Sequence, residues 1–210
     1  MPYRPDINQM PAQAATYPRN LAFFAGGDAL PLRAVTFAIE QGKLHSKIRL
    51  IVSNHPESAA IEWAHEAGIP TLLISGVDET DDAPCLEALA RHEIDLVLLA
   101  GYLRKVHPPI VEKFYPRIWN LHPALLPKYG GLGMYGKHVH RAVLESGDRR
   151  TGATLHRVDY DYDTGPILLQ SSIGIREHEP IEMLAKRVSV LECVLLVSAL
   201  SHMERGEMEI

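Results

Sequence analysis

The sequence predicts an α/β protein with a mostly parallel central sheet that is flanked by helices and has an antiparallel C-terminal part. Short apolar segments alternate with helical patterns over the first hundred residues, which is typical of strands joined by helices in βαβ units. Residues 95–100 are apolar on both faces, as expected for a central parallel strand. Beyond them, residues 152–158 and 167–175 alternate as strands with an irregular acidic connection, which favours an antiparallel ending.

The individual elements follow from apolar spacing and from glycine and proline breaks. Strands are predicted at residues 20–25, 48–53, 70–74, 95–100, 118–121, 152–158 and 167–175. Helices are predicted at residues 31–41, 58–67, 83–92, 110–114, 138–145 and 180–202. Gly26 and Gly27 end the first strand, and Gly42 is expected to end the first helix. A glycine-rich loop occupies residues 125–136.

The segments show no internal repeat and no linker, so residues 20–210 are expected to form one domain. Residues 1–19 contain four prolines and lack the apolar stretch of a signal peptide, which predicts an extended N-terminal arm. Hydrophobic residues make up 46% and charged residues 22% of the 210, which is enough for an ordinary core.

Charge and cysteine content exclude several classes of function. The formal net charge is −5 and there is no run of basic residues, so no nucleic-acid partner is expected. No segment approaches the roughly 18 apolar residues that span a membrane. Two cysteines cannot form a disulfide framework or a zinc site alone, and a cytoplasmic location is expected. A monomer and a homodimer are equally compatible with the sequence.

Three polar residues stand where a packed α/β domain has no structural need for them. Asn120 and His122 lie two positions apart at the end of a strand, so both side chains can reach one bound group. Pro123 makes the chain leave the strand at the sheet edge where open α/β sheets bind ligands. Asp163 lies in a tight acidic turn, and its carboxylate could raise the pKa of the His122 imidazole.

An amide, an imidazole and a carboxylate suit acyl transfer to an amine. The amide and a protonated imidazole can stabilise the oxyanion, while the His–Asp pair can move the protons. Two structural explanations remain open at this point. A histidine after a strand can be a capped or surface residue, and an aspartate before glycine can serve the turn itself.

The chain resembles the folate-dependent formyltransferase family, in particular the glycinamide ribonucleotide formyltransferases of purine biosynthesis. The signature is Asn-Leu-His-Pro-Ala-Leu-Leu-Pro-Lys-Tyr at residues 120–129, with supporting segments at residues 99–106, 152–156 and 163–170. The resemblance implies a Rossmann-like formyltransferase fold, with residues 20–210 as the catalytic domain. It also implies 10-formyltetrahydrofolate as co-substrate, a small primary amine as acceptor, and no metal.

The resemblance implies a role for each matching residue. The catalytic residues would be Asn120, His122 and Asp163, supported from behind by Thr154 and His156. The folate would contact Leu103, Arg104, Val106, Val158, Tyr160, Asp161 and Tyr162. The acceptor would meet Gly26, Gly27, Gly131 and Glu192.

The acceptor side departs from the family pattern in its first loop. Relatives normally have Gly-Ser-Asn after the first strand to hold the ribotide phosphate, whereas this chain has Gly26-Gly27-Asp28-Ala29-Leu30. Asp28 would repel a phosphate, although the same side chain could cap the following helix.

The loop after Tyr129 is also longer than usual. His138 and His140 follow this loop and are interpreted as surface residues, with contact to a substrate phosphate as the alternative. The positive charge that the first loop lacks could come from Lys128, Lys137 and Arg141.

Three alternatives to ribotide formylation remain. The first is an N-formyltransferase for another amine, such as an amino sugar nucleotide or a specialised metabolite. The second is a 10-formyltetrahydrofolate hydrolase, in which water replaces the amine. The third is a folate- or nucleotide-binding module without catalytic activity.

Overall fold

The structure, a computed structural model, describes residues 19–74 and 82–208. All but the last residue of the predicted N-terminal arm therefore lie outside the described residues. The strands are β1 (Asn20–Ala25), β2 (Lys47–Ser53), β3 (Thr71–Leu73), β4 (Leu96–Ala100), β5 (Ile118–His122), β6 (Arg150–Arg157) and β7 (Ile167–Gly174). The helices are α1 (Leu30–Glu40), α2 (Ala59–Glu66), α3 (Ala83–Arg91), α4 (Pro108–Phe114), α5 (Lys137–Glu145) and α6 (Ile181–Glu204).

The seven strands form one sheet in the order β3-β2-β1-β4-β5-β6-β7. Strands β1 to β5 pair in parallel, whereas β6 pairs antiparallel with both β5 and β7. The predicted fold class is therefore confirmed, including the antiparallel C-terminal part. Each predicted strand and helix is present, with ends that differ by no more than two residues.

The strand order reverses between β1 and β4, because β1 pairs with β2 on one side and with β4 on the other. Ala25 pairs with Ala100, and Ala100 pairs with Leu121, so the carboxyl ends of β1, β4 and β5 lie at one edge. Open α/β sheets bind ligands at such a switch point, and the fold thus predicts a cleft here.

The sheet separates two hydrophobic clusters. Leu21 and Phe23 of β1 contribute to one cluster, which is covered by α1, α2 and α6. Ala22 and Phe24 contribute to the other cluster, which is covered by α3 and α4. This alternation is that of a strand buried on both faces. Among the described residues, no helix combines the length and apolar character needed to cross a bilayer.

The ends of the first helices show how local sequence sets their limits. Gly42 follows α1 with a φ of 66°, the left-handed conformation that ends many helices, as predicted. Ser58 caps α2 by accepting a hydrogen bond from the Ile61 N–H. Asp28 does not occupy the cap position of α1, which is Ala29, but its carboxylate accepts a hydrogen bond from the Leu30 N–H at 3.3 Å. The predicted capping role of Asp28 is therefore only partly correct.

Candidate active site

A cleft of about 790 Å³ opens at the carboxyl ends of β1, β4 and β5. This volume is within the range of ligand-binding pockets, roughly 300–1,000 Å³. The predicted catalytic residues Asn120, His122 and Asp163 all line it. Asn120 and His122 reach it from the same face of β5, as their spacing predicts, and Asp163 reaches it from the loop between β6 and β7.

Asp163 lies at the centre of a hydrogen-bonded cluster. Its φ of 59° is a left-handed conformation, which aspartate tolerates better than most residues. Its Oδ1 atom lies 3.3 Å from Asn120 Nδ2, 3.5 Å from His122 Nδ1 and 3.4 Å from His156 Nε2. Its Oδ2 atom accepts a hydrogen bond from the Gly131 N–H at 2.9 Å. One carboxylate thus joins both sheet histidines, the amide and the glycine-rich loop.

The backbone fixes the orientation of both imidazoles. His122 is only 3% exposed, and its Nε2–H donates to the Tyr129 carbonyl oxygen at 2.7 Å, so Nδ1 faces Asp163. His156 donates its Nδ1–H to the Arg157 carbonyl oxygen at 2.8 Å. Its Nε2 atom can therefore accept a hydrogen bond from the Asn120 amide at 3.0 Å.

Thr154 supports the site from the neighbouring strand, where it pairs with His122 as His156 pairs with Asn120. Its hydroxyl donates to the Ala124 carbonyl oxygen at 2.6 Å and accepts from the Leu126 N–H at 3.2 Å. These two bonds hold the turn after β5. Thr154 and His156 are both buried and stand behind the trio as the resemblance implied.

Burial controls the protonation of His122. Burial lowers its pKa and outweighs both the Asp163 carboxylate and the Tyr129 hydrogen bond, which raise it. The prediction that Asp163 raises the pKa is therefore correct for that pair and wrong for the net direction. Burial also raises the pKa of Asp163, but contacts with His156, His122 and the Gly131 N–H lower it below its usual range. The cleft thus holds a carboxylate and a neutral imidazole that can accept a proton.

A narrow recess of about 50 Å³ adjoins the main cleft. Asn120 and Asp163 line both cavities, so the trio lies where the two meet. The recess is also lined by five of the residues predicted to contact folate, Arg104, Val106, Val158, Asp161 and Tyr162. Leu103 and Tyr162 line the main cleft.

Tyr160 lines neither cavity, although its neighbours Asp159 and Asp161 line the recess. Its hydroxyl donates to Glu112 Oε1 on α4 at 3.1 Å, and its ring packs against the α3–α4 side of the core. A contact between Tyr160 and folate stays a prediction.

The four residues predicted to meet the acceptor, Gly26, Gly27, Gly131 and Glu192, all line the main cleft. Glu192 comes from α6 and is partly exposed to the cleft. Burial raises its pKa to about 8, and the negative charge of Asp28 contributes in the same direction. Glu192 is therefore mostly protonated near neutral pH.

Histidine placement on α5 differs from the sequence interpretation. His138 is exposed and stacks edge-on against Tyr135, as expected for a surface residue. His140 is only 4% exposed and lines the cleft, so its interpretation as a surface residue is wrong. The sequence contains a pattern that indicates the burial of His140. His140 adjoins Val139 and precedes Val143 by one helical turn, so it lies on the buried face of the helix.

Of the three basic residues predicted to supply positive charge, one lines the cleft and two do not. Lys137, predicted as a source of positive charge, lines the cleft, and so does Lys186, which was not singled out. Lys128 pairs with Asp148 at 2.6 Å outside the cleft, and Arg141 does not line it. The sequence thus identified one of two cleft lysines.

The strand order and the position of the cleft define an α/β enzyme whose ligands lie across the switch point between β1 and β4. The sequence model described as "Formyl transferase" matches residues 19–200. The chain therefore belongs to the formyl transferase family.

Two relatives and one solved structure illustrate the similarity. The chloroplastic phosphoribosylglycinamide formyltransferase of Vigna unguiculata is 38% identical over 86% of this chain and 59% of its own length, so the chain spans less than two thirds of that relative. The phosphoribosylglycinamide formyltransferase of Escherichia coli K12 is 30% identical over 90% of this chain and 89% of its own. The crystal structure of glycinamide ribonucleotide transformylase 1 from Symbiobacterium toebii superposes with a TM-score of 0.82 at 29% identity, covering 90% and 88% of the two chains.

Proposed function

We propose that this protein transfers a formyl group from 10-formyltetrahydrofolate to the primary amine of glycinamide ribonucleotide, a step of purine biosynthesis. The observation that carries the proposal is the Asn120–His122–Asp163 cluster at the junction of the cleft and the recess. The names of the two relatives described above, at 38% and 30% identity over most of this chain, support the same reaction.

In this mechanism the amine nitrogen attacks the formyl carbon, and the carbonyl oxygen becomes an oxyanion. The Asn120 amide can donate to that oxygen once it gives up its longer bond, the 3.3 Å contact with Asp163. The neutral His122 imidazole, with Asp163 beside it, takes the proton that the amine loses. The folate nitrogen receives a proton as its bond to the formyl carbon breaks, and the products are formylated amine and tetrahydrofolate.

In this proposal the pterin ring of the folate binds in the recess beside Arg104 and Val106. The formyl group then points toward Asn120, His122 and Asp163. Because the recess has a volume of only about 50 Å³, we expect the loop at residues 159–163 to move outward when folate binds. No metal is required by this chemistry. A cytoplasmic location and a monomer or homodimer remain predictions from the sequence.

The test is turnover of purified protein with 10-formyltetrahydrofolate and glycinamide ribonucleotide, with the formylated ribotide detected by mass spectrometry. A parallel reaction without acceptor measures hydrolysis of the folate. Stoichiometric formation of formylated ribotide is expected, with little hydrolysis. An active enzyme that formylates other amines but not the ribotide would contradict the proposal.

One observation favours a second candidate, an N-formyltransferase for another amine such as an amino sugar nucleotide. Asp28 occupies the first loop and lines the cleft together with Glu192. A loop carrying an aspartate is unfavourable for a phosphate. A panel of primary amines, tested beside the ribotide, distinguishes the two candidates.

A further inference from the structure

The main cleft is lined by charged side chains of both signs. Asp28 lies in the first loop and lines the cleft together with Glu192 of α6. Lys137 and Lys186 are the lysines that line the cleft within the described part of the chain, and no arginine there does. A phosphate monoester entering the cleft is therefore repelled by Asp28 and attracted by the two lysines.

Lys137 begins α5, a helix of nine residues, and Gly136 before it makes no side-chain cap. The first N–H groups of a helix have no partner within the helix, and its N-terminus carries partial positive charge. Gly133 and Gly136 line the same part of the cleft with φ values of 86° and 51°. The backbone there can approach a bound anion closely.

His140 gives the independent indication of a ligand. It is 4% exposed and lines the cleft one turn into α5, and its Nδ1 atom is buried with no hydrogen-bond partner among the described residues. Burial lowers its pKa, and the neighbouring His122 lowers it further, so the ring is neutral at neutral pH. A buried imidazole without a partner is costly, because its lost hydration is not replaced.

The two lysines are available for such a ligand. Lys186 has no ion-pair partner within residues 19–74 and 82–208. Lys137 lies 3.3 Å from Glu182, but both side chains are mostly exposed, and pairs of this kind are weak. Either ammonium group can therefore turn into the cleft at little cost.

We propose that Lys137, His140 and Lys186 hold the phosphate of the acceptor, in place of the loop after β1. This inference rests on the proposed function, because a ribotide acceptor brings the phosphate. The site lies on the acceptor side of the trio, since none of these three residues lines the recess assigned to the pterin. The part of the cleft that Asp28 lines is then left to the uncharged and cationic parts of the acceptor.

The experiment compares wild type with Lys186→Gln, Lys137→Gln, their double variant and His140→Asn. The matched controls are Lys128→Gln and His138→Asn, which replace a lysine outside the cleft and an exposed histidine of the same helix. The probes are glycinamide ribonucleotide in steady-state kinetics and ribose 5-phosphate in calorimetric titration. In the double variant, KM for the ribotide is expected to rise at least tenfold, with kcat and the folate KM nearly unchanged.

Ribose 5-phosphate binding is expected to weaken by a similar factor in the double variant and in His140→Asn, and to persist in both controls. Unchanged ribotide KM and unchanged ribose 5-phosphate binding in the double variant would overturn the inference. A rise confined to the folate KM would overturn it as well, because the lysines would then serve the glutamate tail of the folate.

The failure of the proposed function would look different. A wild-type protein that does not formylate the ribotide, but binds ribose 5-phosphate through these lysines, would retain the phosphate site and lose the proposed acceptor. Since Lys186 is exposed, its substitution tests the site even where His140→Asn disturbs folding.

Discussion

His122 shows at the scale of one residue how burial prepares a group for proton transfer. The Tyr129 carbonyl oxygen accepts a hydrogen bond from the Nε2–H of His122, so this nitrogen keeps its proton. His122 therefore gains or loses a proton at Nδ1, which lies 3.5 Å from Asp163 Oδ1. A neutral ring beside an ionised carboxylate is ready to receive a proton.

We expect His122→Ala to lower kcat by about a hundredfold to ten-thousandfold, the usual range for loss of a general base. Folate binding should persist, because the recess is formed by other residues. Steady-state kinetics and titration with a folate analogue measure the two effects, and exposed His138→Ala serves as control. Turnover equal to wild type would revive the hypothesis of a non-catalytic binding module.

Glu192 makes the stability of the protein depend on pH. Its folded-state pKa of about 8 lies above the ordinary glutamate value near 4.5. Between these values the folded state binds more protons than the unfolded state, so the free energy of unfolding falls as the pH rises through this window. The stabilisation is complete below the lower value and lost above the higher one.

Glu192→Gln should remove this dependence. Each pKa unit corresponds to about 1.4 kcal/mol. The stability advantage of the variant over wild type should therefore grow as the pH rises from 4.5 to about 8, where it reaches a few kcal/mol. Urea unfolding at several pH values gives the comparison. Parallel pH profiles for the two proteins would show that the carboxyl group is ordinary and solvated.

At the scale of elements, glycines decide how closely the antiparallel strands approach the active-site loop. A Cβ atom on Gly152 of β6 would overlap the Ser171 carbonyl oxygen of β7 and lie 2.6 Å from Leu125 Cδ2. A Cβ atom on Gly174 of β7 would meet nothing within 4 Å. The two strand glycines thus differ in their tolerance of a larger side chain, a difference that the sequence does not predict.

Gly152→Ala should destabilise the protein by about 1–3 kcal/mol, as overpacking of a tight site does. Gly174→Ala, the matched control, should change stability by no more than about 0.5 kcal/mol. Thermal or chemical denaturation followed by circular dichroism measures both. Equal stabilities would mean that the strands separate easily at Gly152.

The predicted elements were correct in kind and displaced at their ends, for a local reason. The end of β5 extends to His122, because pairing with Thr154 on β6 continues beyond the residue at which apolar alternation stops. Likewise α5 begins at Lys137, directly after Gly136, whose φ of 51° is not helical. Hydrophobic periodicity predicts neither the length of backbone pairing nor the φ of a glycine.

At the scale of the whole molecule, the end of α6 joins distant parts of the chain. Glu204 accepts hydrogen bonds at 2.8 Å from the N–H groups of both His45 and Ser46, which precede β2. These residues are more than 150 positions apart in sequence. Helix α6 thereby fixes the loop beside β2 as well as one wall of the cleft.

Glu204→Ala should cost about 1–3 kcal/mol of stability, because the partly buried Ser46 N–H loses its acceptor. Glu207→Ala, which removes an exposed partner of Arg205, should have little effect. Urea denaturation should show one transition in each protein, as expected for one continuous sheet. A separate early transition in Glu204→Ala would indicate that α6 unfolds as an independent unit.

The sequence by itself determined the fold class and the element order, because strand periodicity depends on neighbouring residues, and it singled out Asn120, His122 and Asp163 as candidates. The tertiary structure decided the rest. It brought those three side chains together, set the net direction of the His122 pKa, directed the Tyr160 hydroxyl to Glu112, and placed His140 and Lys186 in the cleft. These properties depend on burial and on contacts between distant segments, which only the packed chain creates.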